Sequence, residues 1–87
     1  MVSPDDWRIE NVQRLMNCSF RWKQYYKQSE ESDHDHCGAC WAKFMIAEGC
    51  LTEGYAVSEE YEHGADYVWI CKTCFEDLKM HMNWKVI

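Results

Sequence analysis

Two Cys-x-x-Cys pairs, Cys37/Cys40 and Cys71/Cys74, constrain this chain more than any other feature. Each pair sets two sulfurs within reach of one ion, and together they supply the four soft ligands of a closed tetrahedral zinc site. A chain of 87 residues makes one domain whose core is marginal unless something staples it. Structural zinc in such peptides contributes about 10–16 kcal/mol of apparent binding energy at neutral pH, and that energy is folding energy. One structural Zn2+ is therefore expected as the cofactor, with a largely unfolded chain in its absence.

The second pair follows the β-prone Trp69-Ile70 and precedes Phe75, Leu78 and Met82 at helical spacing. That pattern predicts a helix from just after Cys71 to about Met82, with thiolates at the positive end of its dipole. Gly38 lets the first pair turn tightly enough for both sulfurs to face one centre. Between the pairs, Glu53 to Ile70 reads as a hairpin: a strand at Tyr55–Val57, an acidic turn from Ser58 to Gly64, and a strand at Asp66–Ile70. Both faces of the second strand carry apolar weight, which places one on the helix and the other on an N-terminal strand. A knuckle, a hairpin and a ligand-bearing helix, in that order, resemble the treble-clef and zinc-ribbon class of modules.

Upstream, Ser3 and Pro4 offer an N-cap and a first helical residue, and Asp5 and Asp6 suit the positive end of a helix. Ile9, Val12, Leu15 and Met16 recur at helical spacing, with Trp7 at the start, so the expectation is an amphipathic helix over residues 4–16 ended by Asn17. Phe20–Tyr26 alternates like a strand. Trp41–Ala47 is compatible with a short helix or an extended segment, and residues 83–87 with a last strand or a docked tail. The fold class is thus α+β, a small zinc-stapled single domain spanning 1–87: an N-terminal helix and strand in 1–30 and a zinc-binding module in 33–84.

Six cysteines in a short chain also suit a secreted disulfide scaffold. Met1 to Asp6 is acidic where a signal peptide is basic and then apolar, and no stretch is long enough to span a membrane. The expectation is a cytoplasmic protein with reduced thiols free for metal. Cys18 and Cys50 lack a nearby sequence partner and read as small buried apolar groups. His34 and His36 adjoin the first pair and are possible alternate nitrogen ligands, although four cysteines already fill a tetrahedron. His63 reads as a solvated turn residue.

The formal charge of −6 becomes about −8 once four thiolates and one Zn2+ are counted. Arg21, Lys23 and Lys27 interleave with aromatic residues but are too few, among so many acids, to make a phosphate-binding platform. Enzymatic readings fit poorly. A redox dithiol of the thioredoxin kind needs a strand before Cys37, where the sequence is a charged loop. A zinc deaminase needs a His-x-Glu, which His34-Asp35-His36 does not provide. A His-Asn-His nuclease needs an open metal position and its histidine on the hairpin.

What remains is a binding module, not an enzyme, whose partner is another protein of basic character. Glu59, Glu60 and Glu62 in the hairpin turn and Glu30, Glu31, Asp33 and Asp35 in the loop before Cys37 would steer it, with Tyr61 as an exposed anchor. The strings Asp33-His34-Asp35-His36-Cys37, Cys40-Trp41-Ala42-Lys43-Phe44, Glu53-Gly54-Tyr55 and Trp69-Ile70-Cys71 with Cys74-Phe75-Glu76-Asp77-Leu78 resemble a family of small bacterial zinc-binding proteins of uncertain role. Phe20 to Tyr25 adds to the resemblance, which then covers most of the chain. It implies an immunity or inhibitor protein that neutralises a toxin such as a nuclease. The alternatives carried forward are a zinc-dependent regulatory adaptor or redox sensor and, less well matched, the nuclease.

Overall fold

The computed structural model describes residues 6–26, 34–46, 48–62 and 64–87. Helix α1 spans Trp7–Val12 and runs into a 3-10 turn at Gln13–Leu15. Its cap is Asp6, whose carboxylate accepts the Arg8 backbone N–H at 2.9 Å. The helix therefore starts later than a Ser3 cap implies and loses its α-form before Asn17. Val12 and Leu15 are buried and Ile9 packs partly beneath them, but Met16 is exposed. The 3-10 turn rotates Met16 off the stripe that α-helical spacing assigned it.

Strand β1 is Ser19–Gln24 and strand β4 is Glu53–Val57; they pair antiparallel from Phe20↔Val57 to Gln24↔Glu53. Strand β5, Trp69–Ile70, adds antiparallel to β4 and completes the hairpin, with a longer first strand and a shorter second strand than the sequence pattern implies. Helix α2, Lys72–Met82, leads to β6 at Lys85–Val86, which lies parallel to β1. The resulting four-stranded sheet has the order β5-β4-β1-β6. A second, two-stranded sheet pairs β2, Asp35–His36, with β3, Lys43–Phe44. The segment around Lys43 and Phe44 is thus extended, not helical. Among the described residues, two α-helices and two small sheets make an α+β fold.

Strand alternation divides the aromatic residues between the two faces of the large sheet. On one face Phe20, Tyr55, Phe75 and Trp84 pack together, with Tyr55 stacked on Phe75 at 3.8 Å between ring centroids. Phe75, Leu78 and Met82 form the buried side of α2 there, as helical spacing requires. On the other face Tyr25, Phe44 and Trp69 meet at 5.1–5.8 Å. That second face is covered by the β2–β3 segment, whereas β1 lies within the sheet, so the expected stacking of the hairpin on the N-terminal strand is replaced by edge-to-edge pairing. Gly54 makes the arrangement possible: a Cβ there would lie 2.7 Å from two carbons of the Phe44 ring and 3.0 Å from the Ile70 carbonyl oxygen.

The two ends of the described chain are tied together. Asn83 ends α2 in the left-handed conformation with φ 55°, and Asn17 ends the first helical region in the same way with φ 67°. Asn17 N–H donates to the Met82 carbonyl at 2.9 Å, and the Asn83 amide donates to Asn17 Oδ1 at 2.8 Å. Trp84 Nε1 donates to the buried Leu15 carbonyl at 2.9 Å. No helix among the described residues is long and apolar enough to cross a membrane.

Candidate metal centre

The first cysteine pair sits in the turn that joins β2 to β3. Cys37 N–H donates to the Ala42 carbonyl at 2.8 Å and Trp41 N–H to the Cys37 carbonyl at 3.0 Å, which closes the knuckle. Gly38 N–H then reaches the Trp69 carbonyl at 2.9 Å and docks the knuckle against β5. Gly38 is required for this approach and not for an unusual backbone angle: a Cβ would meet Val68 Cγ1 at 3.1 Å and Ile70 Cδ1 at 3.2 Å. The left-handed residue of the turn is Trp41, φ 69°, whose ring is exposed.

The second pair begins α2. Cys71 is its N-cap and Cys74 lies one turn in, on the buried side beside Phe75. The hairpin delivers this helix end to the knuckle, and all four Sγ atoms fall within 4.8 Å of one another. Cys40 and Cys71 Sγ are 3.8 Å apart. A regular tetrahedron with metal–sulfur bonds of about 2.3 Å has edges of about 3.8 Å, so the spacing suits zinc. Four thiolates are also the donor set that a soft or borderline cation selects.

Without a cation these four groups cannot all ionise, and their environments divide them. Cys37 is held far below the ordinary thiol range by hydrogen bonds from the Cys71 and Cys74 thiols, with help from backbone N–H groups of Cys40 and Cys71. Cys71 and Cys74 are pushed up, in each case first by the hydrogen bond to the Cys37 sulfur. A bound dication removes that conflict, because it converts the repulsion of four thiolates into attraction to one centre.

Arg8 is the residue of this site that sequence reasoning missed. Its guanidinium donates to Cys74 Sγ at 3.5 Å and to Asp77 at 3.1 Å, and grips both oxygens of Asp6 at 2.8 and 3.0 Å. The hydrogen bonds from Arg8 hold the Asp6 carboxyl down at about 2. Arg8 therefore links α1 to the metal cluster and offsets part of its negative charge. An arginine at the start of an amphipathic helix carries no spacing signal that would have revealed this.

His34 and His36 are not among the converging ligands. Both are exposed at β2, their rings 5.0 Å apart and edge-on, and His36 approaches Trp41. Asp35 is half-buried, and burial raises its carboxyl. Glu30, Glu31, Asp33 and His63 lie outside the described residues. In the hairpin turn Glu59 is held by Arg21 through two hydrogen bonds, while Glu60 and Glu62 are exposed. Tyr61 corrects the expectation of an exposed anchor: it is 8 % accessible and packs beside Tyr67. Acidic neighbours in the sequence conceal a ring that the turn folds inward.

Cys50 and Cys18 are half-buried and lie outside the four-sulfur cluster. A cleft of about 760 Å3 opens beside the cluster, lined by Cys40, Cys71, Cys74, Cys50, Trp7 and Trp22 among others. No protein-family model, no curated protein and no solved structure matches this chain.

Proposed function

We propose that the chain is a zinc-stapled, treble-clef-like interaction module, not an enzyme, and that it binds a basic protein. One observation carries the reading: four sulfurs converge within 4.8 Å, which fills every position of a tetrahedral ion and leaves none for substrate. A closed site rigidifies the surface around it, and a rigid surface loses less freedom when a partner docks. The exposed side chains supply the contacts. Trp7, Trp22 and Trp41 project from the domain as aromatic anchors, and the formal charge of −6 favours a basic target.

The finer reading is an immunity or inhibitor protein for a toxin such as a nuclease, whose substrate-binding groove is basic. It rests on charge, size and the sequence resemblance. Glu60 and Glu62, with Glu59 shared by Arg21, would steer the encounter.

The test starts with the mass of the intact protein under native conditions, which is expected to be the chain plus one zinc. A folded chain that holds no metal would sink the proposal at its base. For the partner, replacing Glu59, Glu60 and Glu62 with Lys is expected to slow association with a basic nuclease target about tenfold at low salt. An unchanged rate would remove this patch from the recognition surface.

A further inference from the structure

We propose that Cys40 is the sulfur at which a small hydroperoxide attacks the metal cluster, and that Cys71 then closes a Cys40–Cys71 disulfide that replaces the metal as the staple. The inference rests on the zinc reading above and assigns the cluster a second, oxidised form.

The four sulfurs differ in access. Cys37 is 1 %, Cys74 2 % and Cys71 7 % exposed, whereas Cys40 is half-buried and faces the cleft between Trp7, Trp22 and Cys50. They differ equally in the hydrogen bonds that withdraw charge from them. Cys37 Sγ accepts the backbone N–H of Ala39 and of Cys71, each at 3.4 Å. Cys74 Sγ accepts the Arg8 guanidinium at 3.5 Å, whereas Cys71, the N-cap of α2, accepts no capping N–H at its sulfur. No described N–H donates to Cys40 Sγ, whose recorded polar neighbour is Cys71 Sγ at 3.8 Å. Among the described ligands Cys40 combines the lack of an N–H donor with the most open approach, while Cys71, which also lacks one, is 7 % exposed; a thiolate so placed is the one an oxidant reaches first.

The step balances with hydroperoxide as the oxidant. The Cys40 thiolate attacks the terminal peroxide oxygen, the O–O bond breaks, and with one proton the products are a sulfenic acid and water for hydrogen peroxide, or the corresponding alcohol for an organic hydroperoxide. The Cys71 thiolate then attacks the sulfenic sulfur and expels hydroxide, which a second proton turns into water. Two sulfurs have lost two electrons, the peroxide has gained them, and the dication leaves a site reduced to two thiolates. This bridge joins the same two elements as the metal, the knuckle and the head of α2. A bridge within either Cys-x-x-Cys pair would join nothing.

The experiment uses the full chain with one zinc, verified by native mass, and one equivalent of hydrogen peroxide. Zinc release is followed with a chromogenic chelator, and the disulfide is located by non-reducing peptide mapping with a second protease that cuts between Cys50 and Cys71. The expected result is stoichiometric zinc release, a Cys40–Cys71 linkage, and the same products at the same rate in a C18S/C50S variant, which keeps every ligand. A first disulfide inside either pair, a linkage to Cys50, or zinc retained at a tenfold excess of peroxide would overturn the exchange alone. A chain that takes up no zinc would instead overturn the zinc reading, and the exchange with it.

Discussion

Cys71 and Cys74 stand at the head of an 11-residue helix whose inner face, Phe75, Leu78 and Met82, is buried in the core; Cys37 and Cys40 stand in a turn between strands of 2 residues each. The spacing is the same, but the forces that position the sulfurs are not. The helical pair is placed by packing, since α2 would dock on Phe20 and Tyr55 through its aromatic contacts with no ion present. The knuckle pair is placed by a few backbone hydrogen bonds and by Phe44 on its far strand, and a bound ion would add the rest. Metal sites of this kind stiffen most what packing holds least, so the two halves should respond differently to its loss.

Chelation is the largest perturbation of that contrast. Structural zinc carries about 10–16 kcal/mol of apparent binding energy, so removing it is expected to destabilise the domain severely, with the knuckle released before the packed half. Hydrogen exchange would read the order of events: the Gly38 and Trp41 amides should lose protection before those of α2 and β4. Simultaneous loss in both halves would mean that packing alone positions neither.

Gly54→Ala comes next. The added methyl drives into the Phe44 ring, which anchors the knuckle strand to the sheet, and overpacking of this kind costs about 1–3 kcal/mol. Denaturant unfolding should show the loss, with zinc affinity weakened in step because the knuckle is displaced. Undiminished affinity would show that the knuckle is held without Phe44.

Arg8→Gln perturbs the helical pair by removing the charged donor to Cys74 and the link to Asp6 and Asp77. A loss of about 1–2 kcal/mol is expected for a charge-assisted, partly buried contact, together with faster alkylation of Cys74. A Cys74 reactivity equal to that of the parent protein would show that the guanidinium does not shield the sulfur.

Tyr26 offers the smallest effect and a control remote from the metal. Its hydroxyl donates to Asp66, and that hydrogen bond, with burial second, raises the phenol from 10.0 to about 12. A raised folded value means stability that is present below pH 10 and is lost as pH rises toward 12. Ultraviolet titration of the zinc-loaded protein should lose a late-ionising phenol in Tyr26→Phe, with zinc content unchanged.

How much of this could be read from the sequence followed from how local each determinant is. The span of α2, its buried face and the hairpin were legible because their signals, alternation ending at Ile70 and helical spacing after Cys71, lie within one element. The convergence of four sulfurs was legible because two short spacings dictate it. The start of α1 was not, since Ser3 and Asp6 are both competent caps and the choice rests on Arg8 gripping Asp6 while it reaches Cys74, 66 residues away. The extended form of Lys43–Phe44 depends on a contact with Gly54 across the sheet. Tyr61 looked exposed because its neighbours are acidic, yet the turn carries the ring inward against Tyr67. Each miss turns on a partner distant in sequence.

The asparagine clasp has a kinetic meaning. Joining Asn17 to Asn83 closes a loop of 66 residues, and β6 cannot pair with β1 until that loop is closed. Closure entropy grows with the logarithm of length, so a doubling costs about 0.6 kcal/mol. An ion captured by Cys40 and Cys71, 31 positions apart, would gather the segment between them into one node and shorten the remaining search. On the zinc reading, the supply of metal during synthesis would then bear on how quickly the last strand finds its place, as well as on how firmly the finished domain holds.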